Sequence, residues 1–411
     1  MDNQNVSQNV DVELKDNVLL KVDHLCQYFG PTKAVDDVSF EIHKGEVFGM
    51  VGESGCGKTT TGRSIIKLYD ITSGSVYFKG VRVCAGTGSY KQAIKDAKEA
   101  YNEKVKTASE DEKKRLKEEL DRTVAEQKKL IKEAQYDQKN CDKEYVEKLT
   151  AAVKEKYEPL LAGASAEEKK KLSAEYRNEL RKAKNSKVIT QIQMIFQDPI
   201  ASLDPRMTVR DTIAEGLVIR GERDPKVINE KVYEMLDLVG LVPEHASRYP
   251  HEFSGGQRQR IGVARAIVMR PDLVIADEPV SALDVSIQAQ VINLLNDLRE
   301  KFGLTLLFIA HDLSVVKYFS DRIGVMYFGK MVEMAPSDEL FLNPLHPYTR
   351  SLLSAIPLPD PISEKQRKRI TYNPLAEHDY SVDKPSFREI KPGHFVMCNE
   401  AEYQKYMSVL K

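Results

Sequence analysis

The chain has 411 residues, with 61 Lys and Arg against 62 Asp and Glu and a formal net charge of -1. That length accommodates two or three domains and a sizeable core, and the balanced charge shows no global basic excess, so no direct nucleic-acid partner is expected. The five cysteines (Cys26, Cys56, Cys84, Cys141 and Cys398) are scattered without a C-x-x-C pair, which argues against a zinc knuckle or a disulfide framework and for a reduced compartment.

Residues 1–17 are polar and acidic and are expected to form a disordered tail without a signal-peptide core. No apolar run reaches the ~18 residues of a membrane span. Val18–Val22 reads as a first strand and Ala34–Ile42 as a second, with a turn at His43–Glu46. Phe29 lies between the two strands. Taken alone it reads as a core or loop aromatic before it reads as a ring stacked on a base.

Val47–Val51 is a short strand-like run leading into Gly52-Glu53-Ser54-Gly55-Cys56-Gly57-Lys58-Thr59, and the run Thr60–Leu68 leads out as a helix. The pattern G-x-x-x-x-G-K-T between strand and helix is a phosphate-binding loop. Its glycines let successive N–H groups converge on an anion, and the helix adds its positive end. Lys58 can neutralise phosphate charge, and the Thr59 hydroxyl can ligate Mg²⁺.

Thr72–Ser75 is a turn, and Val76–Val83 reads as a hairpin strand. The composition then changes: residues 85–187 are rich in interspersed charge, Ala, Leu, Lys and Glu, which favours helix. Leu116, Leu120, Val124, Gln127 and Ile131 mark a sparse apolar stripe, Tyr157–Pro159 and Gly163 are expected to break the helix, and Ser165–Glu168 is a capping box that restarts it. Leu172, Tyr176 and Leu180 continue a stripe on the second arm. The segment is therefore expected to be a helical hairpin, bent near Thr107. Its basic end, Arg177–Lys187, fits either a docking arm or a solvated insertion.

Gln191–Phe196 reads as a strand ending at Gln197, and Val209–Ile219 and Lys226–Val239 as amphipathic helices. Phe253-Ser254-Gly255-Gly256-Gln257 is a second glycine loop, with Ser254 capping a helix that runs to about Met269. Asp272–Pro279 is an apolar strand ending in two acids, Asp277 and Glu278. Paired carboxylates at the tip of a buried strand are costly unless a cation or a water compensates. Asp277 suits an Mg²⁺ shell and Glu278 a general base. Asp284 follows shortly after, and His311 sits at the tip of the buried strand Leu304–Ala310, where open α/β sheets place their ligands. Pro357, Pro359, Pro361 and Pro374 make the C-terminal region irregular, and Ser386–Cys398 is expected to add a strand or a docking loop.

The loop Gly52–Thr59, Gln197, Ser254–Gln257, Asp277 with Glu278, and His311, in this order, resemble the ATP-binding subunit of an ABC transporter. Phe196–Pro205 (FQDPIASLDP) and His346–Pro357 (HPYTRSLLSAIP) resemble the peptide and nickel importer subfamily, and Pro359-Asp360-Pro361 resembles its F-type. The resemblance implies an α/β P-loop ATPase with a RecA-like parallel core, an antiparallel β subdomain and an α-helical subdomain. It implies an ATPase domain over 18–345, interrupted by the charged insertion at 85–187, and an extension over 346–411. ATP and Mg²⁺ are the implied ligands. Gly52, Ser54, Gly55, Cys56, Gly57, Lys58, Thr59 and Thr60 would hold the nucleotide, with Phe29, in preference to Tyr28, stacking on adenine. Thr59, Gln197 and Asp277 would hold the metal, and Glu278, His311 and Lys58 would be catalytic. Ser254, Gly255, Gly256 and Gln257 would bind nucleotide held by an opposite ATPase subunit, and Asp284 would communicate across that dimer.

The implied partners are two transmembrane permease subunits, a second homologous ATPase forming a heterodimer, and an extracellular solute-binding protein reached through the complex. The implied place is peripheral, on the cytoplasmic face of the cell membrane, and the implied work is the import of oligopeptides or dipeptides. Nickel or another small solute is the alternative cargo. A non-transport ABC ATPase of the DNA-repair type is the alternative class, against which the position of the insertion before Gln197 argues. Cys56 stands where Ser or Gly is frequent, and the solitary Cys398 implies no iron–sulfur cluster of the kind some relatives carry.

Overall fold

The structure, a computed structural model, describes residues 14–281, 283–356 and 369–409. In chain order the strands are β1 (Val18–Phe29), β2 (Thr32–His43), β3 (Val47–Val51), β4 (Ser73–Phe78), β5 (Val81–Ala85), β6 (Ile192–Ile195), β7 (Leu273–Asp277), β8 (Thr305–Ala310), β9 (Arg322–Tyr327), β10 (Lys330–Pro336), β11 (Ser386–Lys391) and β12 (His394–Cys398). The α-helices are α1 (Lys58–Ile65), α2 (Gly88–Lys104), α3 (Glu110–Gly163), α4 (Ala166–Lys184), α5 (Pro199–Ser202), α6 (Val209–Ile219), α7 (Pro225–Leu238), α8 (Gly255–Ile267), α9 (Val285–Phe302), α10 (Leu313–Phe319), α11 (Ser337–Leu342), α12 (Pro347–Ser354), α13 (Pro374–Glu377) and α14 (Glu400–Val409). They fall into two compact units: one runs up to Leu25 and resumes over Asp70–Thr190, and the other comprises Cys26–Tyr69 and the chain from Gln191 onward.

In the first unit β4 and β5 pair antiparallel. The stretch Val76–Val83, read as a hairpin strand, turns at Lys79 and Gly80, both at positive φ (51° and 68°). Two such residues in succession make the tight turn whose twist matches that of a hairpin. The charged segment forms three helices, since the expected bend near Thr107 is a gap between α2 and α3. Ser109 and Ser165 start α3 and α4, each donating its N–H to the Glu three residues on (2.8 and 3.1 Å). Contrary to expectation, α3 runs through Tyr157–Pro159 and ends only at Gly163. Tyr157 packs on Tyr176 of α4, ring centroids 5.6 Å apart, so the hairpin contact holds the helix across the proline. The buried face of α3 is also not the stripe Leu116–Ile131, which is only half-buried. It is the later series Ala134, Cys141, Tyr145, Leu149, Val153 and Tyr157. There α3 lies on the β4–β5 hairpin, with Lys148 Nζ donating to Gly80 O (2.9 Å) and Arg82 facing Asp137 (3.5 Å).

The second unit is built on an eight-stranded sheet of order β11-β12-β10-β9-β3-β8-β7-β6. The β9, β3, β8, β7 and β6 stretch is parallel, and β10, β12 and β11 continue it antiparallel. Every residue of β3, β7 and β8 is buried. Parallel strands covered on both faces need such unbroken apolar runs. Helix α10 packs on β3 closely enough that a Cβ at Gly49 would lie 2.3 Å from Val316 Cγ1. Helices α6, α7 and α8 form a largely helical region whose buried side chains, Ile213, Leu217, Val232, Leu236, Ile261 and Ala264 among them, join the main core.

The C-terminal segment Ser386–Cys398 is a hairpin that pairs with β10 in the register Glu333↔Val396. The prolines at 357, 359 and 361 lie outside the described residues. Among the described residues no helix is long and apolar enough to cross a membrane.

Candidate functional site

The site gathers where β3, β7 and β8 end. Gly52, Gly55 and Gly57 have φ of 151°, 81° and 106°. A Cβ at Gly52 would lie 2.2 Å from Met326 O, and one at Gly57 would lie 2.3 Å from Ala34 O. Both positions therefore require glycine for conformation and for space. The loop exposes Glu53, Ser54 and Gly55 and buries Cys56. Burial raises the Cys56 thiol pKa, and Lys58 beside it opposes that rise. Lys58, only 4% exposed, begins α1. Its Nζ donates to Gly52 O (2.8 Å) and Glu53 O (2.9 Å), inside the curl of its own loop. Thr59 and Thr60 follow in the first helical turn, both half-buried.

Thr59 Oγ1 donates to Asp277 Oδ1 at 2.7 Å, so residues 218 positions apart meet at the end of β7. Asp277 is fully buried, and its Oδ2 has no protein hydrogen-bond partner. Burial raises its pKa; the Thr59 bond and the charges of Arg63 and Lys58 oppose that rise. A buried carboxylate oxygen without a partner costs free energy. Beside a threonine hydroxyl it is the hard-oxygen donor set that Mg²⁺ takes.

Glu278 follows with φ +44°, a strained value for a residue with a side chain. Its N–H is tied to Ile309 O of β8 (2.9 Å). The side chain meets two others: Gln197 Nε2 donates to Glu278 Oε2 (3.0 Å), and His311 Nδ1 lies 3.2 Å from the same oxygen. Gln197 and His311 are exposed, and Glu278 is mostly covered. The tips of three parallel strands thus converge on one carboxylate.

Ser254 and Gln257 bond reciprocally at the start of α8, Ser254 N to Gln257 Oε1 (3.0 Å) and Gln257 N to Ser254 Oγ (3.3 Å). Gly255 is exposed and Gly256 packs on Ile287, to whose Cγ2 a Cβ would come within 2.7 Å. The Ser254–Gln257 loop lies at the surface, with Ser254 and Gly255 exposed and Gly256 and Gln257 half-buried. Asp284 is exposed and begins α9, its carbonyl accepting from Ile287 and Gln288 N–H (both 2.9 Å); Ala282 beside it lies outside the described residues. Phe29 is 46% exposed and touches Tyr69 edge-on at 5.2 Å. Tyr28 is engaged through its hydroxyl with Asp36 (2.5 Å). Two contacts escaped the sequence reading. Gly329 N–H donates to Cys56 O (2.9 Å), and Tyr348 Oη accepts from Glu53 N–H (3.1 Å). Tyr348 stood out only as part of a subfamily marker.

A phosphate-binding loop feeding α1, an acid-tipped neighbouring strand and a parallel core carrying a helical region define a P-loop ATPase of the ABC class. The chain matches the ABC transporter family over residues 35–170 and 159–281, and the oligopeptide/dipeptide transporter C-terminal region over residues 332–384. It is 48% identical over 393 residues to the oligopeptide transport ATP-binding protein OppF of Bacillus subtilis (strain 168), covering 94% of this chain and 98% of that one. It is 43% identical over 385 residues to the dipeptide transport ATP-binding protein DppF of Lactococcus lactis subsp. cremoris (strain MG1363), covering 92% and 91%. Among solved structures, cbiO1 from Clostridium perfringens, part of the ABC transporter complex cbiONQ, has the same fold, with a TM-score of 0.50 at 19% identity over 79% of this chain and 91% of that one. The chain belongs to the oligopeptide/dipeptide permease family of ABC transporter ATP-binding subunits, in its F-type branch. Membership in this class carries ATP hydrolysis with Mg²⁺.

Proposed function

We propose that the chain powers the import of oligopeptides or dipeptides through two transmembrane permease subunits, paired with a second, homologous ATPase and fed by an extracellular solute-binding protein. The names of its relatives, which are oligopeptide and dipeptide transport ATP-binding proteins, support this reading. So does the match to the C-terminal region over residues 332–384. In this reading the chain sits peripherally on the cytoplasmic face of the membrane.

Residues Gly52–Thr60 hold the nucleotide phosphates, with Lys58 leaving its resting carbonyls to do so, and Phe29 offers its exposed ring to the base. Thr59, Asp277 and Gln197 hold Mg²⁺. When bound, the ion neutralises charge on the phosphates. Glu278 accepts a proton from the attacking water, and His311 and Gln197 orient its carboxylate. The Ser254–Gln257 loop and Asp284, both at the surface, serve the partner ATPase's nucleotide. Each chain then supplies part of two sites, and turnover needs the pair.

The observation that carries the reading is the meeting of Gln197, Glu278 and His311 beside the Thr59–Asp277 pair. Glu278→Gln tests it. In the assembled transporter this variant should bind ATP with unchanged affinity and lose steady-state hydrolysis by about a hundredfold or more, the scale of a lost general base. Unchanged turnover would remove Glu278 from the role of base.

A further inference from the structure

We propose that Tyr348, in the C-terminal region, is a positioning residue for nucleotide binding: its hydroxyl sets the phosphate-binding loop by holding the Gly52–Glu53 peptide. The inference rests on reading the Gly52–Thr59 loop as the nucleotide site.

One amide plane is pinned from both ends. Its N–H, on Glu53, donates to Tyr348 Oη at 3.1 Å. Its carbonyl, on Gly52, accepts from Lys58 Nζ at 2.8 Å. In a trans peptide these two groups point in opposite directions within one rigid plane, so fixing either end aims the other. Gly52 has a φ of +151° and no side chain to limit rotation; a glycine hinge of this kind depends on outside contacts for its orientation. An acceptor on the N–H also polarises the carbonyl and strengthens its bond to the ammonium. Tyr348 thereby governs where Lys58 waits.

The tyrosine is built to hold still. It is 2% exposed, and its ring is tilted against Tyr327 (4.4 Å) and Tyr372 (5.5 Å). Its own N–H donates to Nδ1 of buried His346 (3.1 Å), the cap of α12. The N–H of His346 in turn donates to the buried carboxylate of Glu333 (3.0 Å). The C-terminal region therefore reaches the loop through a fixed helix start. Loss of the hydroxyl leaves the Gly52–Glu53 peptide held only through Lys58, the group that must leave it for phosphate, and binding must then include the cost of ordering the peptide.

Tyr348→Phe keeps the ring and removes the acceptor. In the full-length chain it should weaken Mg-ATP binding about three- to tenfold, the effect of one hydrogen bond, and should speed amide exchange at Glu53 in the nucleotide-free protein. Wild-type affinity, or a lowered melting temperature with unchanged affinity, would reduce Tyr348 to packing and overturn the proposal. Should the phenylalanine variant not fold, amide exchange of the wild-type nucleotide-free chain decides: the proposal requires the Glu53 N–H to be protected through its bond to Tyr348 Oη and fails if that amide exchanges as fast as an unstructured one. Lys58→Ala is the separate control, because retained Mg-ATP binding in that variant would refute the loop as the nucleotide site, whatever Tyr348 does.

Discussion

Asp277 holds one oxygen against Thr59 and buries the other without a protein partner, so burial makes its ionisation costlier in the ligand-free fold than in the unfolded chain, with Arg63 and Lys58 offsetting part of that cost. The sign of its pH dependence follows. Its pKa is raised in the fold above the ordinary 3.8, so the unfolded chain ionises first as pH rises. Stability is highest below that value, falls as pH climbs towards the raised pKa, and is level above it. Asp277→Asn keeps the Thr59 hydrogen bond and removes the charge. Urea unfolding at pH 7 should show the ligand-free variant more stable by about 1–2 kcal/mol, with a flatter slope at acidic pH. Mg-ATP should raise the melting temperature of the wild type and leave that of the variant nearly unmoved. At this scale much of the candidate site's membership was legible in the sequence, as a set of residues the fold brings together. Phosphate and metal chemistry require particular residue types at fixed spacing within one loop or one strand tip, and Lys58, Thr59, Asp277 and Glu278 obey that. The contact of Tyr348 with the loop could not be read, because 295 positions separate it from its partner Glu53 and the motif around it, HPYT, carries no sign of that contact.

Helix α3 continues through Pro159 for one further turn to Gly163. A proline there removes one backbone donor and crowds the carbonyl four residues earlier. The Tyr157–Tyr176 contact across the hairpin offsets the strain. Pro159→Ala restores the hydrogen bond, and its effect is confined to the first unit. Thermal unfolding followed by helical circular dichroism should show that unit stabilised by ~1 kcal/mol, well below the ~3 kcal/mol of a proline in a helix interior because Pro159 lies one turn from the helix end. ATP binding should not change. Propensity alone ends the helix at Pro159, and tertiary packing overrides it. In the hairpin strand Val76–Val83 the exact place of the turn is less legible, because the two-residue turn at Lys79–Gly80 shows in the sequence only as a single glycine.

The large sheet is completed by the last part of the chain. Glu333 on β10 is fully buried, and its carboxylate accepts from Leu345 N (2.8 Å), His346 N (3.0 Å) and His394 Nε2 (2.8 Å) of β12. One acid thus ties the C-terminal hairpin and the start of α12 to the ATPase core. Glu333→Ala should cost about 3–5 kcal/mol, the scale for removing one partner of a buried pair. Limited trypsin treatment should cut at Arg388 or Lys391 before the rest of the second unit opens. Cleavage no faster than in wild type would mean that the pairing of β12 with β10 holds the hairpin without the acid.

The central place of β3 bears on how the molecule is made. The strand that delivers the phosphate-binding loop lies between β8 and β9, pairing Val47 with Leu306 and Phe48 with Arg322. Gly45 N–H finds its acceptor, Thr305 Oγ1, 260 residues later. On a ribosome adding ~5–20 residues per second, the loop leaves the exit tunnel roughly 13–50 s before the strands that flank it. Until then an apolar strand with both edges open must be kept from pairing with strangers. Before β8 and β9 exist the loop has no sheet to hold it in its nucleotide-binding shape, and dependence on chaperones should be greatest while residues 52–304 are being synthesised.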